Sequence, residues 1–191
     1  LVFCARDVQN VTIPNFIEHI CAYSFNYCRK IQRVEIPKDS KLQTIDKYAF
    51  SNSVIKSIAI SSSLKIIGEN AFYYCKQIER VEIPNDSKLQ IIDKNAFRYS
   101  TIKSIIIPSS VTSIGDNAFT LCIRLQRIPF ENDSKLQTIG KEAFSYAIIK
   151  SITIPSSVTF IGEKAFNSCT ILQRIKFQND SKLKTIGKEA F

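Results

Sequence analysis

The chain has 191 residues, 45% of them hydrophobic, with only 5 Gly and 6 Pro, a composition that builds a packed core and excludes a disordered or collagen-like chain. Lysine and arginine number 26 against 17 acidic residues, and the net charge of +9 favours acidic partners such as sulfated glycans, nucleic acid or anionic cell surfaces, or serves solubility alone. No apolar run approaches the ~20 residues that span a bilayer, and Leu1-Val2-Phe3 passes at once to Cys4, Arg6 and Asp7, which does not read as a signal peptide.

A phenylalanine returns at Phe25, Phe50, Phe72, Phe97, Phe119, Phe144, Phe166 and Phe191, alternately 25 and 22 residues after the last. Such a period marks a solenoid, whose units stack because none can bury its apolar face alone. Residues 1–3 read as a flanking segment and residues 4–191 as one array of eight units, four copies of a 47-residue pair. The last unit ends on its Phe without a polar cap, so the chain reads as a fragment of a longer protein, with end-to-end self-association as a risk.

The first element of each unit is an aliphatic-x-x-aliphatic-x-aliphatic segment, as in Ile78–Ile83 and Ile102–Ile107. Its last four residues alternate and are rich in β-branched types, which predicts a short strand with Ile and Val pointing inward. Pro14, Pro37, Pro84, Pro108 and Pro155 follow and end the strand by removing a ladder donor, while Pro129 interrupts one strand at an outward place. Next, the long units carry a polar loop: Lys38-Asp39-Ser40-Lys41, then Asn-Asp-Ser-Lys beginning at Asn85, Asn132 and Asn179. An aliphatic residue follows eight places before each Phe, and Ile stands five places before it in every unit, from Ile20 to Ile186. All five glycines, Gly68, Gly115, Gly140, Gly162 and Gly187, lie four places before a Phe, with Asp46, Asp93 and Cys21 as substitutes, which predicts a turn that uses positive φ. Alanine precedes the Phe in every unit but the first, where Ser24 stands.

These residues resemble a known family. Segments such as Ile107-Pro108-Ser109-Ser110-Val111-Thr112-Ser113-Ile114-Gly115-Asp116-Asn117-Ala118-Phe119 look like the leucine-rich repeat of the BspA-like surface proteins of oral bacteria, treponemes and trichomonads. The resemblance covers residues 4–191, with departures mainly at Cys21, Ser24 and Pro129. It implies a leucine-rich-repeat solenoid of the α/β horseshoe class, with one parallel strand per unit on a concave side and short helical or 3₁₀ turns around Ala-Phe on the convex side. It also implies cell-surface or secreted localisation and adhesion to host or matrix proteins such as fibronectin or fibrinogen. A repeat platform does not by itself fix a ligand.

On the predicted strands, residues flanking the central inward one face solvent. The first outward column alternates Arg33, Arg80, Arg127 and Arg174 with Asn10, Ser57, Ser104 and Ser151. Strands ~4.8 Å apart space these arginines roughly 10 Å from one another, as separated forks for carboxylate, sulfate or phosphate. The second column holds Glu35 and Glu82, which can neutralise the early arginines, and later Pro129, Thr153 and Lys176, which cannot. The candidate ligand-binding residues are therefore Arg33, Arg80, Arg127, Thr153, Arg174 and Lys176, biased to the C-terminal half. An alternation inherited from duplication and merely solvated is the competing reading.

Cys28, Cys75, Cys122 and Cys169 each lie three places after a Phe, too far apart to pair with one another, and read as buried free thiols. Cys4 and Cys21 stand outside that column, where a bridge with each other or with Cys28 is the alternative to free thiols. Their spacing does not fit zinc motifs, and no cofactor is expected. Asn10, Asn85, Asn132 and Asn179 open Asn-x-Ser/Thr sequons, which read as a by-product of duplication rather than occupied sites. The single histidine, His19, sits in a permissive column, and no Ser/His/Asp set or Gly-rich phosphate loop is present, so no enzyme is expected. The outward columns lack interleaved aromatics, which argues against specific nucleic-acid binding. A surface adhesion module is the leading reading, with a non-binding spacer or an intracellular scaffold as alternatives.

Overall fold

A computed structural model of the chain describes residues 8–191. The chain climbs as a parallel β-solenoid whose turns each close on a repeat Phe. Strands β1 (Asn10–Thr12), β3 (Arg33–Glu35), β5 (Ser57–Ala59) and β7 (Arg80–Glu82) pair in that order. Further along the same face, β11 (Ser151–Ile154) pairs with β13 (Arg174–Phe177). Val34, Ile58, Val81 and Ile152 are buried on these strands, as the aliphatic alternation predicts. Between β7 and β11 the sheet thins to isolated bridges, Arg80 to Ser104, Ser104 to Arg127 and Ile107 to Phe130. Pro129 accounts for part of this thinning: Ile105 N–H reaches Arg127 C=O at 3.3 Å and Ile107 N–H reaches Pro129 C=O at 2.9 Å, but Pro129 has no N–H to return.

A second ladder runs the whole length of the described chain, where the sequence reading expects one strand per unit. It joins β2 (His19–Ile20), β4 (Thr44–Ile45), β6 (Ile66–Ile67), β8 (Ile91–Ile92), β9 (Ser113–Ile114), β10 (Thr138–Ile139), β12 (Phe160–Ile161) and β14 (Thr185–Ile186) in one parallel sheet. The Ile column five places before the Phe is the inward half of these two-residue strands, buried at 0% exposure from Ile20 to Ile161.

The turns around Ala-Phe form a third ladder, and here two expectations are corrected. No helix occurs among the described residues, and none of the glycines has positive φ. Positive φ falls instead on the residues two places before and two places after each Phe, such as Tyr48 (56°) and Asn52 (56°) around Phe50. A left-handed residue thus stands on either side of the Ala-Phe turn, and across the turn every second N–H points toward the next unit. Tyr48, Phe50 and Asn52 N–H groups donate to Glu69, Ala71 and Tyr73 carbonyls at 2.8 to 2.9 Å, while Ala49, Ser51 and Ser53 bond back within their own turn. A helix would aim all its donors along its own axis and leave the next unit none. The left-handed conformation costs a non-glycine residue roughly 1–2 kcal/mol, but a buried N–H left unpaired would cost about 1–3 kcal/mol, so the ladder wins where the turn is buried.

The glycines answer to space instead. A methyl group on Gly162 would stand 2.5 Å from Gly140 C and Lys141 N of the preceding unit, and one on Gly68 2.8 Å from Ile45 O. Close approach of successive backbones sets the column.

At the centre the repeat phenylalanines stack face to face, with centroids 4.9 Å apart at Phe25–Phe50 and 5.3 Å at Phe144–Phe166. Phe25 through Phe166 are at most 1% exposed, and each buried ring contributes about 1.5–3 kcal/mol. Beside the stack, Cys75, Cys122 and Cys169 are free thiols that donate to the carbonyls of Phe50, Phe97 and Phe144 at 3.0, 3.0 and 3.2 Å. Burial pushes the Cys75 and Cys122 thiols up to about 12, which leaves them unreactive at neutral pH. Cys28, at the head of the column, departs from the expected free thiol and is held in a disulfide, whereas Cys21 is free and exposed. The bridge from Cys21 to Cys28 is thus not formed; Cys4 lies outside the described residues.

Candidate ligand-binding face

The face carrying β1, β3, β5, β7, β11 and β13 brings the predicted columns together. Asn10 pairs in register with Arg33, Arg33 with Ser57 and Ser57 with Arg80, and the bridges carry the column through Ser104 to Arg127. Ser151 faces Arg174, and Thr153 faces Lys176. All six candidate residues are exposed. They form two sets rather than one row, because no backbone hydrogen bond joins residues 126–130 to residues 150–154.

The electrostatics differ along the face. Arg33 Nη2 lies 3.1 Å from Glu35 Oε1, and Arg80 Nε lies 2.9 Å from Glu82 Oε1, so both early arginines are compensated within their own strands. These pairs are more than half exposed at the arginine, and their value is selectivity rather than stability. Glu79 takes Lys103 Nζ at 2.9 Å and Arg124 Nη1 at 3.5 Å, and the hydrogen bond and charge of Lys103 hold its carboxyl below the usual range. Among the described residues Arg127, Arg174 and Lys176 make no ion pair. Three uncompensated cations therefore stand on the C-terminal half of the face.

Other polar groups take simpler roles. His19 Nδ1 shares a 2.8 Å hydrogen bond with Thr44 Oγ1 on the second ladder. Asn10, Asn85, Asn132 and Asn179 are exposed.

A second exposed feature escaped the sequence reading. All seven tyrosines lie within two residues of a repeat Phe, on the turn ladder, and Tyr23, Tyr27, Tyr48, Tyr74, Tyr99 and Tyr146 have positive φ. Tyr73, Tyr74 and Tyr99 cluster with centroids 5.7 to 6.1 Å apart, and the Arg98 guanidinium lies 5.2 Å from the Tyr99 ring. The signal was the restriction of Tyr to three places around the Phe, two before, one after and two after it.

Stacked parallel strands, a phenylalanine spine and an exposed strand face define a leucine-rich-repeat solenoid. The chain belongs to the BspA-type leucine-rich repeat family, whose model matches residues 2–122 and 90–191 with six copies of the repeat. No curated protein matches the sequence significantly. Among solved structures, the chain is similar to the pneumococcal vaccine antigen PcpA, at 26% identity and a TM-score of 0.73 over 92% of this chain and 42% of PcpA. A leucine-rich repeat protein of Bacteroides ovatus aligns at 23% identity and a TM-score of 0.63 over 97% of this chain and 64% of its own. A leucine-rich cell surface protein of Faecalibacterium prausnitzii aligns at 23% identity and a TM-score of 0.52 over 90% of this chain and 61% of its own. The chain thus spans under two thirds of each of these three proteins.

Proposed function

We propose that this array is a cell-surface or secreted adhesion module that recognises host or extracellular-matrix proteins, of the fibronectin or fibrinogen type, or acidic glycans, through its long-strand face. The family and a leucine-rich cell surface protein among its structural neighbours support the setting. One observation carries the site: the cations Arg127, Arg174 and Lys176 stand without ion pairs, whereas Arg33 and Arg80 are neutralised by Glu35 and Glu82. Acidic groups on a partner would meet the C-terminal half first, each contact weak and exposed, with avidity raised by multiple display. No helix among the described residues is long and apolar enough to cross a membrane.

The test is binding of the purified chain to fibronectin, fibrinogen, laminin and heparin across a salt series. Saturable binding that weakens with salt and is lost in an Arg127→Ser/Arg174→Ser/Lys176→Ser variant is the expected result. No binding to any of them at low salt would instead favour a spacer.

A further inference from the structure

The long-strand face is not continuous, and an interruption that no bridge crosses lies beside the uncompensated cations. The ladder fails between the unit ending at Phe144 and the unit ending at Phe166. On the turn side these units keep the normal spacing of 5.3 Å, yet their rings are inclined by 16°, against 2° to 6° for the other repeat phenylalanine pairs. A groove of about 590 Å³ opens there on the sheet side, between Arg127–Phe130 and Lys150–Thr153.

The backbone groups on its two lips can be assigned. Arg127 and Pro129 carbonyls face away, accepting from Ile105 and Ile107, and Lys150 and Ile154 carbonyls face away on the other side, accepting from Gln173 and Gln178. Because successive residues of a strand turn their N–H and C=O to opposite neighbours, those of Ile128 and Phe130 face the groove from one lip and those of Ser151 and Thr153 from the other. Donors and acceptors thus alternate along both lips with no partner across the gap.

Charge separates this groove from its nearest counterpart. A second groove of about 590 Å³, between Glu79–Ile83 and Lys103–Ile106, contains Glu79 and Glu82 paired to Lys103 and Arg80. The first groove is lined by Arg127 and Lys150 with no acid, and Arg174 and Lys176 stand on the next strand.

We propose that this groove seats an extended acidic segment of a partner protein, its carboxylates on Arg127 and Lys150 and its main chain on the open lips. A sulfated glycan would satisfy the cations but not the alternating donors and acceptors, so the lips select a peptide. The inference rests on the long-strand face being the ligand face, and deepens it to one seat and one chemical class.

The test uses an acetylated, amidated hexaglutamate peptide at physiological salt, its alternate-residue N-methylated counterpart, and a heparin hexasaccharide. The expected result is saturable peptide binding that weakens at least tenfold on N-methylation and at least tenfold in Arg127→Ser/Lys150→Ser. The charge-matched Arg33→Ser/Arg80→Ser variant should change it less than twofold. Equal binding of the N-methylated peptide, tighter binding of heparin at the same residues, or equal loss in both variants would overturn the proposal. If matrix-protein binding survives Arg127→Ser/Lys150→Ser but is lost in Arg174→Ser/Lys176→Ser, the seat is wrong and the adhesive face stands. If nothing binds this face, both fail.

Discussion

Two residues in neighbouring turns answer to opposite constraints. Gly162 has negative φ but no room for a side chain, while Glu142, two places before Phe144, has φ of 53° and carries a half-buried side chain. Gly162→Ala should therefore destabilise by about 1–3 kcal/mol through backbone displacement, and Glu142→Gly should be neutral or stabilise by up to about 1 kcal/mol by relieving the left-handed conformation. Urea unfolding midpoints of the two variants check this, and the same sign for both would contradict it. The glycine column was legible as a constraint but not as the right one, since a glycine that avoids a clash and a glycine that turns the chain leave the same letter. Tyrosine, lysine and glutamate at positive φ gave no warning, because their placement depends on hydrogen bonds to the next unit that no local pattern encodes.

At the scale of the element, what could be read depended on length. Strands such as β3 and β7 carry an exposed–buried–exposed alternation long enough to recognise. Pairs such as β8 and β10 are two residues long, and a two-residue strand has no period. They exist because stacking brings identical backbones into register, a property of the array rather than the segment. The candidate face was legible as columns of Arg33, Arg80, Arg127 and Arg174, but its division after Arg127 was not, since Pro129 marks only the loosened side facing Ile105 and no residue type marks the open side facing Ser151 and Thr153. Pro129→Thr would place an N–H opposite the Ile105 carbonyl, with a side chain already used at this place in Thr12 and Thr153. One added net hydrogen bond of about 0.5–1.5 kcal/mol should slow amide exchange at residues 127–130. Unchanged exchange there would mean that the missing donor is not what loosens the segment.

For the whole molecule, every internal unit has only two neighbours, so stability accumulates as interfaces rather than as a single global core. Phe97 is the clearest probe, being 0% exposed and stacked at 5.0 Å on Phe72 and 5.3 Å on Phe119. Phe97→Ala removes both stacks and should cost about 3–5 kcal/mol. It should also uncouple the units before it from those after it, so that urea unfolding splits into two transitions, each with a smaller slope than the single wild-type transition. Among the described residues Phe191 stacks only on Phe166, at 5.3 Å, and is 46% exposed, so Phe191→Ala removes one interface and should cost less than half as much without splitting the transition. A single transition with unchanged slope in Phe97→Ala would show that coupling reaches well beyond adjacent units. The three hydrogen-bonded ladders, which the phenylalanine spine does not exhaust, would then carry the cooperativity.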